Sequence, residues 1–192
     1  MKKNKTPWKD LLFMLKLSTA CAILLLITKA SVGERAELSI RTADSILQIL
    51  GKETLPSEEI AIENFSNLFV SLQRGNIKIW RYVDKPYLWA CEATGNGMWG
   101  SITLTYVVNS YNWKILGLKV VEQKETVGLG ARISEDDFGN KFIGINAENG
   151  VKSVPIKVMN NEFDAISGAT VSSKSIEKIV NKSLLVIRKH IK

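Results

Sequence analysis

The sequence predicts an α+β fold: one N-terminal transmembrane helix, then a mainly antiparallel sheet with packed helices. Three observations predict it. Residues 101–121 hold two β-patterned runs separated by a short polar turn. Residues 172–190 repeat apolar side chains at three- and four-residue steps. Residues 11–28 form an apolar run with a single charge, Lys16. A strand repeats its faces every two residues and a helix every 3.6, so the first two patterns name different elements.

The elements follow in chain order. Within residues 11–28, ten Leu, Ile and Phe side chains each favour insertion by roughly 0.3–0.6 kcal/mol. Lys16 lies toward one end, where its ammonium can snorkel at reduced cost. With Trp8 as interfacial anchor, the balance favours a spanning helix. Lys2, Lys3 and Lys5 precede the span, so the positive-inside rule puts the N-terminus in the cytoplasm and the rest outside. A cleaved signal peptide is the weaker reading, because Thr28-Lys29-Ala30-Ser31 is a poor small-x-small site. Residues 1–30 are read as cytoplasmic N-terminus and anchor, 31–75 as a helical connector and 76–192 as the main domain.

In the connector, Ala36, Ile40, Ala43, Leu47 and Leu50 predict a helix over 34–50 that Gly51 can end. Pro56 to Glu59 reads as a turn opening a short helix, with helix continuing over 64–72. From Asn76, short β-prone runs surround Asp84-Lys85-Pro86. Residues 101–108 alternate as a strand and residues 113–121 return antiparallel, with Gly117 as a candidate bulge. Ser134, followed by Glu135, Asp136 and Asp137, reads as a capped helix start that ends near Gly139. The last helix carries Ile176, Ile179, Val180, Leu184 and Ile187 as its core stripe.

The 192 residues carry a net charge of +7, concentrated at the two ends. The N-terminal lysines flank the apolar run and those after 173 lie on a solvated helix face, which argues against nucleic-acid binding. Cys21 and Cys91 sit in unlike segments, so an intrachain bridge is not expected. One histidine, His190, supports neither a metal cluster nor a catalytic triad. Redox or transfer chemistry must then come from a cofactor.

Three motifs point to one. Residues 164–173, Asp-Ala-Ile-Ser-Gly-Ala-Thr-Val-Ser-Ser, set hydroxyls and small residues at the start of the last helix. A helix N-terminus offers unpaired N–H groups and a partial positive charge, which suit phosphate. Residues 125–130 read Glu-Thr-Val-Gly-Leu-Gly, where Gly128 and Gly130 permit a tight turn, Glu125 and Thr126 can orient it, and Leu129 can touch a ring. Residues 95–100, Gly-Asn-Gly-Met-Trp-Gly, place Trp99 in a glycine turn before a long strand. Trp80, Trp89 and Trp113 are read as core or interface residues.

Together these runs resemble the FMN-binding domain family, which includes the G subunit of the Rnf electron transport complex and the C subunit of the sodium-pumping NADH:quinone oxidoreductase. The resemblance covers roughly residues 77–190. It implies FMN joined by a phosphoester to Thr170, attached by a dedicated flavin transferase that reads Asp164, Ser167, Gly168 and Ala169. It further implies flavin contacts from Ser172, Glu125, Thr126, Gly128, Leu129, Gly130 and Trp99. The protein would relay electrons in a ferredoxin- and NAD-linked, ion-translocating membrane complex beside other membrane subunits. The competing readings are an FMN-binding subunit of another respiratory complex, and a cofactor-free membrane-tethered binding module in which the Ser-Gly-Ala-Thr run only caps a helix.

Overall fold

The structure, a computed structural model, describes residues 7–31, 39–52, 58–73 and 76–191. Two compact units divide the chain near Glu37. In the first, helix α1 (Pro7–Ser31) runs through the predicted anchor, with Leu11 to Leu15 and Leu17 exposed. The side chains of 24–28 lie outside those described, and among the described residues no helix is long and apolar enough to cross a membrane. The start of the predicted connector, 31–38, lies largely outside the described residues as well.

The second unit is built on an antiparallel meander. Strands β1 (Phe69–Gln73), β2 (Ile77–Tyr82), β3 (Leu88–Asn96), β4 (Ser101–Asn109) and β5 (Lys114–Glu122) pair in chain order. Turns too short for a crossover force each strand back beside its predecessor. On β4, Ile102, Leu104, Tyr106 and Val108 enter the main core, while Val107 enters a second core on the opposite face. Both faces are covered, which is why β4 is buried along most of its length. Gly117 marks a bulge as predicted: Val107 pairs with Gly117 and Val108 with Ile115, leaving Leu116 without an opposite residue.

The second core lies under helices α2 (Ile40–Ile49) and α3 (Glu58–Leu68). Ala43, Ile46 and Leu47 meet Trp80, Ala90 and Val107 there. Ser39 caps α2 by accepting from Thr42 N. Thr42 in turn donates to the buried Glu92, which pairs with Lys78 at 2.8 Å, and Ser45 bonds Thr105 at 2.8 Å. The helix predicted to continue through Leu72 stops at Leu68. Phe69 to Gln73 is instead the edge strand β1, because Phe69 stacks on Phe65 at 4.4 Å and pairs with Tyr82, a tertiary demand that local pattern does not contain.

After β5 comes a 3₁₀ turn (Gly130–Ser134), then α4 (Asp136–Asn140), β6 (Lys152–Val154), β7 (Glu162–Asp164) and α5 (Thr170–Ile191). Ser134 is not the cap of α4. Glu135 holds that position, and the Ser134 hydroxyl donates back to Ala131 O at 2.7 Å. Phe138, Phe142 and Phe163 pack as an aromatic cluster, and the stripe from Ile176 to Ile187 buries against the sheet as predicted. Strands β6 and β7 pair parallel, an addition to the expected antiparallel sheet. Ala165 N continues this pairing to Val154 O at 2.8 Å and so fixes the approach to α5.

Candidate functional site

Glu125 brings the three sequence motifs together. Its Oε1 accepts from Met98 N at 2.9 Å and from Trp99 N at 3.1 Å. Its Oε2 accepts from the Ser172 hydroxyl at 2.5 Å. One buried carboxylate thus ties the glycine turn, the Gly-Leu-Gly loop and the first turn of α5, across 27 and 47 residues of chain. Close approach explains the glycines around it. A Cβ on Gly97 would lie 2.3 Å from Glu125 Oε1, and one on Gly130 would lie 2.7 Å from Ser172 Oγ.

Thr170 is the first residue of α5, and its side chain is exposed. Successive helical residues turn by about 100°, so Thr170, Val171 and Lys174 face outward while Ser172, Ser173 and Ile176 face the core. Ser172 is therefore taken up by Glu125, and Ser173 Oγ accepts from Ile166 N at 3.1 Å. Ser167 and Gly168 are exposed, with Gly168 at φ +83°, whereas Ala169 is buried in the main core. Of the expected hydroxyl cluster, Ser167 and Thr170 are left open to a ligand.

Thr126, Gly128 and Leu129 form an exposed turn, while Gly130 and Glu125 are buried beneath it. The Thr126 carbonyl accepts from Leu129 N and Ala131 N, which closes the turn. Leu129 lies over the Ser-Gly-Ala-Thr run, its Cδ2 3.2 Å from where a Cβ of Gly168 would stand. Trp99 is 67% exposed at the tip of its turn, with Met98 and Val127 also exposed. Trp80 and Trp89 are core residues, and half-buried Trp113 packs under Arg188, as their types suggested. Asp164 is fixed at the end of β7: Lys141 donates to its carbonyl at 3.1 Å and Lys157 N donates to its carboxylate.

Beside Thr170 lies a cavity of about 440 Å³, lined by Lys152, Ser153, Val154, Pro155, Ala165, Ile166, Ser167, Thr170 and Lys174. Sequence reasoning missed its β6 wall, because a three-residue strand leaves no periodic signal. Lys174 was read only as part of a solvated helix face, although it stands one helical turn after Thr170. The Ser153 hydroxyl is buried with no hydrogen-bond partner among the described residues. Two lysines and a helix N-terminus at the cavity are cations and donors that fit a phosphate group.

Residues 97–185 match the family model described as the FMN-binding domain. The chain is 27% identical over 183 residues to the G subunit of the ion-translocating oxidoreductase complex of Methanosarcina acetivorans, covering 92% of each protein. It is 30% identical over 101 residues to the G subunit of the proton-translocating ferredoxin:NAD(+) oxidoreductase complex of Clostridium ljungdahlii, covering 53% of this chain. It spans about half, 54%, of that relative's length. The crystal structure of the C subunit of the Na(+)-translocating NADH-quinone reductase of Parabacteroides distasonis superposes with a TM-score of 0.55 at 25% identity. That match covers 75% of this chain and 89% of the other. The expected resemblance to the G subunit of Rnf-type complexes and to the C subunit of the reductase is borne out.

Proposed function

We propose that this chain is the FMN-carrying subunit of an Rnf-type, ion-translocating oxidoreductase complex, with FMN joined to Thr170 through a phosphoester. The observation that carries the reading is the division of labour among hydroxyls at the start of α5. Ser172 and Ser173 are bonded inside the protein, whereas Thr170 stands exposed at the positive end of a 22-residue helix. The relatives named as G subunits of such complexes support the assignment.

FMN, when bound, supplies the electron-carrying chemistry; the chain's own residues bind and position. Glu125 holds the Trp99 turn and α5 in one arrangement. Leu129, which lies over Gly168, and Trp99 offer exposed apolar surface. Neither His nor Cys is needed in such a site. A covalent tether suits a domain outside the cytoplasmic membrane, because lost cofactor would not be replaced there. The anchor over residues 11–28 and the positive residues before it support that topology. The partners in this reading are the other membrane subunits of the complex and, for maturation, a flavin transferase. Electrons would pass between ferredoxin and NAD through the complex.

The test is in-gel flavin fluorescence after denaturing electrophoresis, with wild type and Thr170→Ala each co-produced with a flavin transferase. A fluorescent wild-type band that disappears in the variant supports the proposal. A dark wild-type band beside a fluorescent control protein overturns it and favours a cofactor-free binding module.

A further inference from the structure

We propose that the loop between β6 and β7 inserts its apolar tip, Ile156 to Met159, into the surface of a lipid bilayer that carries anionic headgroups. The inference deepens the membrane-anchored reading given above and rests on it. Ile156, Val158 and Met159 are 77%, 83% and 63% exposed. Single exposed apolar residues are ordinary, but three on one short loop mark a surface that is covered in use.

Entering an apolar interface is costly wherever backbone groups lose their partners. At this tip they are paired inside the protein. Val158 N and Met159 N donate to Glu162 Oε2 at 3.0 and 2.9 Å, and Lys157 N donates to the Asp164 carboxylate. Met159 O accepts from Glu162 N at 3.1 Å, and Asn160 O accepts from Asn146 N at 3.0 Å. The loop is therefore shaped in advance and carries its side chains outward without stranding these donors.

The charges around it suit headgroups. Lys141, Lys152, Lys157 and Lys174 border the loop, against the carboxylates of Glu162, Asp164 and Glu177, a formal balance of one positive charge. All three carboxylates are engaged by backbone N–H groups, Glu177 through Ser153 N at 2.8 Å. Lys152, Lys157 and Lys174 are exposed, and Lys152 lies 3.9 Å from Glu162 Oε1. Their long stems let the ammonium groups meet phosphates while the apolar tip goes deeper. A tip of four residues falls far short of the roughly 800 Å² per partner of a stable protein interface. It is enough for a bilayer, because a tether in the same chain keeps that surface at high local concentration.

The test uses the full chain with Cys21→Ser, produced without a flavin transferase and reconstituted into vesicles of phosphatidylcholine, with or without phosphatidylglycerol. An environment-sensitive fluorophore is placed at Val158→Cys, or at Ser66→Cys on α3, which covers the opposite face of the sheet. Spin-labelled acyl chains quench a fluorophore that enters the bilayer. The proposal predicts quenching and a blue shift at position 158 but not at 66, strengthened by phosphatidylglycerol and weakened by high salt. Lys157→Gln should lower the inserted-to-free ratio about fivefold in the anionic vesicles and leave it unchanged in the neutral ones. Ile156→Ser with Met159→Ser should lower it on the order of tenfold in both. Equal quenching at 158 and 66, or no dependence on phosphatidylglycerol, would overturn the proposal. So would quenching or burial at 158 that arises only when other membrane subunits are added, which would make the occupant a protein. Alkaline carbonate extraction scores the anchor separately. A chain that resists extraction with an unquenched loop keeps the anchor and loses the proposal. FMN on Thr170 is read by its own gel fluorescence, so neither result decides the other.

Discussion

Removing the Glu125 carboxylate should loosen the whole site at once, and the loss can be sized from its bonds. Glu125→Ala strands three donors: Met98 N, Trp99 N and the Ser172 hydroxyl. Met98 and Trp99 sit in an exposed turn, so water replaces much of what they lose, at about 0.5–1 kcal/mol each. Ser172 is 3% exposed and cannot be rehydrated, so its orphaned hydroxyl costs about 1–3 kcal/mol. The sum is about 3 kcal/mol, which for a chain of this size lowers Tm by roughly 6–12 °C. The assay is thermal unfolding of the full chain followed by circular dichroism. A double-mutant cycle with Ser172→Ala isolates the shared bond, and a coupling of about 1–2 kcal/mol is expected. A Glu125→Ala protein within about 0.5 kcal/mol of wild type would refute the view that this carboxylate joins the three motifs.

Other perturbations follow from the same structure. Gly97→Ala drives a methyl group to 2.3 Å from Glu125 Oε1 and 2.8 Å from Ile102 Cδ1, and should cost about 1–3 kcal/mol in urea unfolding. Gly128→Ala meets nothing within 4 Å, so it should cost about 1–2 kcal/mol, from the positive φ alone. Burial pushes the Cys91 thiol up from 9.0 to about 12. Native Cys91 should therefore resist alkylation at about pH 8 and react only once the protein is unfolded, as peptide mapping would read. The unfolded thiol ionises first, so the Cys91 contribution to stability falls as pH rises from 9.0 through about 12. The backbone N–H groups of Met159 and Val158 hold the Glu162 carboxyl below its usual range. A depressed value contributes stability above the ordinary carboxylate pKa and loses it as pH falls through the native one. Glu162→Gln should therefore lose less stability than wild type between about pH 5 and pH 3, measured by urea midpoints.

Much of this fold was legible because its central elements obey local rules. Strand β4 runs over Ser101–Asn109 where alternation marked 101–108, and α5 buries the stripe its spacing announced. What was missed was decided by tertiary pairing. Phe69 joins a strand because Tyr82 and Phe65 receive it, and β6 with β7 is too short to carry a pattern. At the site, sequence found the three motifs and Thr170, but not which hydroxyls would stay open. Ser172 and Ser173 were hidden by the phase of α5, which begins two residues earlier than the predicted helix and turns both inward. Lys152 and Ser153 were invisible in sequence, being brought to Thr170 through the parallel pairing of β6 with β7.

The central claim is that this domain carries FMN on one hydroxyl. Its most direct test is tandem mass spectrometry of peptides from the full chain co-produced with a flavin transferase. The account predicts one FMN, joined through phosphate, on Thr170 and on no other residue. An unmodified Thr170 peptide, or FMN located on Ser167 or Ser172, would contradict it.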